Sequence, residues 1–234
     1  MVWGASADCL RTSGIALVYS AAEYCAPVWL GSAHTNKVDV KLHETMRCIS
    51  GTVKSTPVHW LPVLSHVAPP HLRRTQALKR EVDKINKNPN LPVHREFCHP
   101  PPQRLASRNP PYAKAPSLSN FNISDRWKAE WSSATAEKGN LYPSDPTRKP
   151  RGFHLPRNTW CRLNRLRTGH GRCNYWQHKW GWKDSPLCEC GEEEQTTDHI
   201  FRRCPLHSYP GPAEDLNALT PDAVSWLNDL KAVL

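Results

Sequence analysis

The sequence lacks the features that mark membrane and secreted proteins. Its most apolar stretch, residues 14–31, contains Glu23 and is too short between charges to span a bilayer. No positive cluster precedes an apolar run at the N-terminus, so we expect no secretory signal peptide. The nine cysteines are odd in number and irregularly spaced, which argues against a disulfide framework. We therefore expect reduced thiols, an intracellular protein of the nucleus or cytoplasm, and no membrane partner.

Catalytic signatures are also scarce. No two aspartates are adjacent, so the metal-binding aspartate pair of a polymerase palm is absent. The segment TGHGRC at 168–173 lacks the Gly-Lys-Ser/Thr ending of a phosphate-binding loop. Asp145 and Asp222 suggest nuclease carboxylates, but neither is followed by a suitably spaced Glu-x-Lys. We expect no enzymatic activity from this chain by itself and no small-molecule substrate, with a residual metal-dependent nuclease as an alternative.

Proline and positive charge are what the chain has in excess. The 22 prolines among 234 residues argue against one compact globule. The formal net charge of +10 and the pI near 9.3 fit a partner that is rich in phosphate. A basic protein that is merely soluble would show the same balance, so net charge alone does not identify a partner.

Apolar residues at helical spacing predict a mainly α fold in three parts. Residues 1–87 form a helical segment, and 88–156 form a proline-rich, partly disordered linker with one helix at 124–137. Residues 157–234 form a small C-terminal module that ends in a helix. We expect no regular structure over 86–123, because prolines, serines and asparagines interrupt every period there. The other predicted helices run over 7–25, 35–49, from about Pro70 to Ile85, 158–167, 174–180 and from Pro221. Gly51 stands where a left-handed cap should end the helix 35–49.

Four metal-ligating side chains lie within 17 residues that have almost no apolar content. They are Cys188, Cys190, His199 and Cys204, with the spacing C-x-C-x8-H-x4-C. Thiolates and imidazole are the donors that tetrahedral zinc prefers, and four protein ligands leave no open position, so the predicted Zn²⁺ is structural. Metal binding of this kind contributes about 10–16 kcal/mol in small zinc peptides, where it replaces an apolar core. The spacing therefore predicts a zinc-stabilised C-terminal module.

Two alternatives to this site remain open. The first is that the four side chains are free in a loop, since the C-x-C start departs from the commoner C-x2-C. The second is that a neighbouring donor replaces one ligand, although these donors fit the spacing less well: His170, Cys173, His178 and His207.

A basic tract lies directly upstream of the cysteines. Residues 148–183 contain ten Lys or Arg residues, no Asp or Glu, and several interleaved tryptophans. Cations neutralise phosphates, and exposed aromatic rings stack on unpaired bases, so the tract favours binding to RNA or single-stranded DNA. The alternative is that the charges are solvated and the tryptophans pack against a neighbouring helix. Packing is the favoured interpretation for the tryptophans, and nucleic-acid binding is the favoured one for the basic charges. The candidate nucleic-acid-binding residues are Arg157, Arg162, Arg165, Arg167, Arg172, Lys179, Lys183 and Trp176.

Three stretches of the first 87 residues resemble the region after the polymerase palm in the reverse transcriptases of animal non-LTR (LINE-type, jockey-like) retrotransposons. They are ALVYSAAEYCAPVW (16–29), HTNKVDVKLHETMRCISG (34–51) and STPVHWLPVLSHVAPPHLRR (55–74). A fourth stretch, LNRLRTGHGRCNYWQHKWGWKDSPLCECGEEEQTTDHIFRRCP (163–205), is similar to the C-terminal Cys/His segment of the same proteins. These stretches occur in the order and orientation of that family.

The resemblance implies a thumb-like role for residues 1–87, near a template–primer duplex. It also implies that the Cys/His ligands match the family's zinc-knuckle-like positions. The parent family is an RNA-directed DNA polymerase with an endonuclease that copies its own RNA at a nicked target. Because the chain starts at Met1, without palm or endonuclease sequence, we expect a C-terminal fragment that binds RNA or single-stranded DNA. A decayed element copy without function is the rival interpretation.

Overall fold

The structure is a computed structural model that describes residues 4–100, 102, 110–135, 143–230 and 234. Within these residues the chain is almost entirely helical, and the only β feature is one antiparallel bridge between Leu187 and Glu194. The mainly α fold class is therefore confirmed. The helices are α1 Ala7–Ser13, α2 Ser20–Ala22, α3 Ala26–Trp29, α4 Thr35–Ser50, α5 Trp60–Ser65, α6 Pro70–Lys87, α7 Pro92–Cys98, α8 Pro111–Lys114, α9 Ile123–Thr135, α10 Arg157–Thr168, α11 Asn174–Lys179, α12 Glu214–Ala218 and α13 Pro221–Asp229, with a 3₁₀ turn at Ala115–Leu118 and π-helical segments at Gly14–Tyr19 and His199–Arg203.

The N-terminal helix ends earlier than the predicted 7–25. The Ser6 side chain caps α1 by accepting from the Cys9 N–H at 3.2 Å, and the helix continues through the π-helical segment to Ala22. Cys25 then adopts a left-handed conformation with φ of 51°, which breaks the helix. Pro27 lies in the first turn of α3, where the missing N–H of proline costs no hydrogen bond. The proline thus begins a new helix after a break that precedes it.

The connection after α4 allows two distant helices to touch. Gly51 ends α4 in the left-handed conformation, with φ of 72°, as the sequence predicts. A Cβ atom at this position would lie 2.1 Å from Sγ of Cys161 on α10. Glycine is therefore required both for the turn and for the close approach of α10.

One hydrophobic core joins the two ends of the chain. It contains Leu42 and Met46 of α4 together with Trp160 of α10 and Leu227 of α13, all fully buried. The indole N–H of Trp160 donates to the Ile49 carbonyl oxygen at 3.0 Å. The first and third predicted parts of the chain thus share apolar contacts, while the division into three domains stays a prediction.

The proline-rich middle of the chain contains more structure than predicted. The expectation of no regular structure over 86–123 was wrong, because α7, α8 and the 3₁₀ turn all lie in this range. Pro92 and Pro111 occupy first-turn helical positions, so these prolines start helices and do not prevent them. The predicted helix 124–137 is present as α9, and its last two residues lie outside the described part of the chain.

Two tryptophans attach α9 to the N-terminal helices. Trp127 and Trp131 are buried in a second cluster with Trp60 and Leu72. The ring centroids of Trp60 and Trp131 are 5.4 Å apart in an edge-to-face arrangement, which aromatic pairs prefer.

Candidate metal centre and basic surface

A short hairpin presents the first two cysteines. The Cys188 N–H donates to the Glu193 carbonyl oxygen at 2.9 Å, next to the Leu187–Glu194 bridge. The Gly191 N–H donates to the Cys188 carbonyl oxygen at 3.0 Å, and Gly191 has a φ of 81°. The tight turn therefore brings both thiols to one side.

A single wide helical turn presents the other two ligands. His199–Arg203 is π-helical, and the Cys204 N–H donates to the His199 carbonyl oxygen at 2.8 Å, five residues back. This hydrogen bond places His199 and Cys204 on the same side of the turn. The wider π-turn therefore matches the five-residue separation of the two ligands.

The four ligand atoms converge on one point. All of them lie within 4.8 Å of one another. The Sγ atoms of Cys188 and Cys204 are 3.7 Å apart, and Sγ of Cys190 is 3.2 Å from Nε2 of His199. Two thiolates on a tetrahedral zinc ion lie about 3.8 Å apart, since each Zn–S bond is about 2.3 Å. The spacing of the donors thus fits a tetrahedral metal ion.

The surroundings of His199 fit a metal ligand as well. Its imidazole is fully buried, and Nδ1 lies 3.3 Å from a carboxylate oxygen of Glu193 without the geometry of a hydrogen bond. A carboxylate beside the outer ring nitrogen is the usual partner of a metal-bound histidine, because it fixes the tautomer that directs Nε2 to the metal. The Gln195 amide also lies 3.7 Å from Sγ of Cys188, where it can donate to a thiolate.

The thiols of the cluster differ in acidity. The backbone N–H of Glu192, with a smaller contribution from His199, lowers the pKa of Cys190 to about 7. Burial raises the pKa of Cys204 to about 11. Without a cation the buried Cys204 therefore keeps its proton. A metal ion that binds Cys204 would have to displace this proton, because the metal ligand is the thiolate.

The neighbouring donors do not join the cluster. Among the described residues, these four side chains form the only group of three or more such ligands with converging atoms. Cys173 is buried in the hydrophobic core, and His207 lies 3.8 Å from Glu189. The ligand set that the spacing predicts is thus the set that the fold assembles, close enough together to bind a metal ion.

The predicted nucleic-acid-binding arginines of α10 all donate to oxygen atoms of the protein. Arg157 donates to the carbonyl oxygens of Cys48 and Ile49 at 2.5 and 2.8 Å, at the end of α4. Arg162 donates to Leu227 and Asn228 at the end of α13, at 2.7 and 2.9 Å. Cations that satisfy the last carbonyls of a helix stabilise it.

The other two arginines of α10 are held in a similar way. Arg165 donates to the carbonyl oxygens of Gly51 and Leu234. Arg167 is buried and donates to the Arg151 carbonyl oxygen at 3.1 Å. The fold thus gives each arginine of α10 an acceptor within the protein, and a role of these arginines in nucleic-acid binding stays a prediction.

The remaining candidates lie on or beside α11 and are more open. The side chains of Arg172, Lys179 and Lys183 are exposed. Lys179 lies over the Tyr175 and Trp176 rings, 4.4 and 5.3 Å from their centroids. Lys183 donates to the Asn174 side chain at 2.7 Å. These cations lie within one short stretch of the chain, on and beside α11. We call this stretch the α11 surface and define it as Arg172, Trp176, Lys179, Trp180, Trp182 and Lys183.

The aromatic rings of the α11 surface differ in how much they are covered. Trp176 is half-buried, stacks on His170 at 4.6 Å and donates to the Gly169 carbonyl oxygen. Trp182 is 67 % exposed and touches Trp180 edge-on at 5.1 Å. Trp182 is therefore the ring of this surface that is open to a partner. The sequence alone did not distinguish Trp182 from the other tryptophans of the basic tract.

Comparison with known proteins finds two similar polyproteins. The chain is 32% identical over 87 residues to the Retrovirus-related Pol polyprotein from type-1 retrotransposable element R1 of Bradysia coprophila, a match that covers 36% of this chain and 8% of that protein. It is 30% identical over 84 residues to the protein of the same description from Popillia japonica, over 34% of this chain and 30% of that protein. The chain thus spans less than a third of each of these relatives.

The other comparisons are negative. No family model matches the chain, and no solved structure does. Among the described residues, no helix has the length and apolar character needed to cross a membrane. The two R1 similarities, each over about a third of the chain, support a protein derived from a retrotransposon.

Proposed function

We propose that this chain is the nucleic-acid-binding C-terminal region of a retrotransposon reverse transcriptase, and that it has no enzymatic activity by itself. Its partner is RNA or single-stranded DNA, with a template–primer duplex near residues 1–87. The Cys₃His cluster holds a structural Zn²⁺. The observation that carries the proposal is the position of the cluster, whose hairpin is hydrogen-bonded to α11, the helix on and beside which the exposed cations and rings lie.

Gln195 links the metal centre to α11. Its side-chain oxygen accepts from the Asn174 N–H at 3.0 Å, and its carbonyl oxygen accepts from the Tyr175 N–H at 3.2 Å. The amide of the same side chain lies beside Sγ of Cys188. In addition, the Asn174 side chain donates to the Leu187 carbonyl oxygen at 2.8 Å. A metal that fixes the hairpin would therefore also fix the start of α11.

The α11 surface combines the two features that bind single strands. Its exposed cations can neutralise phosphates, and Trp182 can stack on an unpaired base. Stacking and phosphate contacts of this kind do not depend on sequence, because every base has an aromatic face. The surface therefore favours broad binding to single strands over recognition of one sequence.

The test is a salt titration of oligonucleotide binding, followed by fluorescence anisotropy of a labelled 20-nucleotide single strand. If the three cations of the α11 surface contact phosphates, the logarithm of the affinity should fall with the logarithm of salt concentration with a slope of about −2. Trp182→Ala should weaken binding about tenfold or more through loss of stacking. Tyr24→Ala is the matched control, because Tyr24 is an exposed ring (77 %) outside this surface and the single-stranded probe lacks the duplex proposed for residues 1–87.

Two results would contradict the proposal. One is an affinity that does not change with salt. The other is equal binding by the Trp182→Ala and Tyr24→Ala variants, since stacking on the α11 surface requires that they differ.

A further inference from the structure

Arg167 has an environment that the other arginines of α10 do not share. Its side chain is only 6% exposed, and among the described residues no carboxylate lies within ion-pair distance of it. Nη1 donates to the Arg151 carbonyl oxygen at 3.1 Å and to the Asn164 side-chain oxygen at 3.3 Å, while the buried Nε has no acceptor. Burial lowers the pKa of Arg167 to about 10. The guanidinium is thus a buried cation with incomplete hydrogen bonding, an arrangement that destabilises a protein unless a counter-ion is present.

Arg167 lines an open cleft of about 480 Å³. One wall is formed by residues 143–151 and the other by residues 214–218, which are those of α12. Three further cations line the same cleft: Arg148, Lys149 and Arg151. The cleft is lined by four cations and two carboxylates, so its lining carries a net positive charge of two.

The carboxylates of the cleft do not neutralise Arg167. Asp145 accepts from the N–H and hydroxyl of Thr147 at 3.0 and 2.6 Å and lies 3.4 Å from Lys128. Glu214 is exposed and forms no ion pair within the described residues. Lys149 forms an ion pair at 2.5 Å with Asp8, a residue that does not line the cleft. Arg148 pairs with Asp145 at 3.6 Å. Within the described residues, Arg167 and the exposed Arg151 are therefore the cations of the lining that have no carboxylate partner.

We propose that this cleft binds a phosphate group, with Arg151 and Arg167 as its principal ligands. A phosphate supplies the counter-ion that the buried Arg167 guanidinium lacks, and the exposed Arg151 can donate to its oxygens, since the planar fork of arginine matches phosphate oxygens. The group can come from a nucleic-acid strand, in which case the inference rests on the proposed function, or from a free phosphate compound. In both cases the chemistry in the cleft is the same.

The first measurement is calorimetric titration of the full chain with inorganic phosphate, at constant ionic strength set with chloride. We expect saturable binding that Arg151→Gln weakens about tenfold, the usual effect of losing a charged hydrogen bond. Arg126→Gln is the matched control, because Arg126 is an exposed arginine on α9 that does not line the cleft. Arg167→Gln also removes two hydrogen bonds within the protein, which could destabilise the fold. The test therefore uses a substitution of the exposed Arg151.

The second measurement repeats oligonucleotide binding with the Arg151→Gln chain. Weaker strand binding identifies the phosphate as part of a strand, and unchanged strand binding identifies it as a free phosphate compound. The phosphate site is overturned if inorganic phosphate shows no saturable binding, or if Arg126→Gln weakens it as much as Arg151→Gln. Neither result would contradict strand binding through the α11 surface. The experiment therefore distinguishes failure of the phosphate-site proposal from failure of the proposed function.

Discussion

The four ligands of the metal centre are held by different means. Cys188 and Cys190 lie in a tight hairpin, whereas His199 and Cys204 are joined by one backbone hydrogen bond across a π-turn. Cys188, His199 and Cys204 are buried, and Cys190 is half-buried. Thiolates packed this closely are costly to bury without a cation, because burial removes their hydration and their negative charges repel one another.

The metal centre gives a prediction for a single residue. Purified protein should contain about one zinc ion per chain, and Cys204→Ser should lose it, because an alcohol is a poor zinc ligand. The loss should remove a large part of the roughly 10–16 kcal/mol that structural zinc contributes in small peptides. Metal analysis by mass spectrometry and thermal unfolding measure the two effects.

The matched control for this prediction is Cys9→Ser. Cys9 is an exposed cysteine outside the cluster, so its substitution should leave both metal content and melting temperature unchanged. A Cys204→Ser chain that keeps its zinc would show that Cys204 is not a ligand.

Two neighbouring helices use their positive charge in different ways. On α10 the arginines donate to backbone carbonyls at the ends of α4 and α13. On α11 the charge of Lys179 lies over aromatic rings at the surface. The basic tract of the sequence is therefore divided between a helix whose arginines donate to the protein itself and exposed cations on and beside α11.

This division predicts opposite effects for substitutions on the two helices. Arg157→Ala should lower the free energy of unfolding by about 2 kcal/mol, because it removes charged hydrogen bonds to the end of α4. It should change oligonucleotide affinity by less than about twofold. Lys179→Ala should weaken binding of the strand and should change stability by no more than about 0.5 kcal/mol, as exposed substitutions do.

Urea unfolding and fluorescence anisotropy measure both effects in the same two variants. An Arg157→Ala chain that is fully stable but binds poorly would show that Arg157 contacts the strand.

The whole molecule is organised around the core that joins the two ends of the chain. Ile200 and Phe201, which follow the metal ligand His199, belong to the same core as Leu42 of α4 and Leu227 of α13. We therefore expect a change at the metal centre to affect α4 through side-chain packing. Residues in one core unfold together when no independent core lies between them.

Removal of the metal should consequently loosen α4. We expect a chelator to increase hydrogen–deuterium exchange of the α4 amides at 35–50 together with that of 187–204. The α9 amides are the internal comparison, since α9 packs in the separate cluster of Trp60, Trp127 and Trp131, and they should change less. Unchanged protection of α4 after chelation would show instead that the C-terminal module folds independently of the N-terminal helices.

The sequence alone determined the features that depend on residues close together along the chain. Apolar spacing predicted most helices, Gly51 predicted the end of α4, and the C-x-C-x8-H-x4-C pattern predicted the ligand cluster, because each depends on residues within about a turn or a short hairpin. The segregation of positive charge into residues 148–183 could also be counted directly. The resemblance to retrotransposon proteins likewise needed only the order of residues.

Only the tertiary structure decided which of the positive charges at 148–183 stay exposed and which donate to acceptors within the protein. The acceptors of Arg157 and Trp160 lie 108 and 111 residues away along the chain, and no local pattern specifies such a partner. The same holds for the cleft at Arg167, whose walls come from two separate segments. Helical period and ligand spacing are local properties of a chain, whereas the burial of a charge depends on what packs against it after folding.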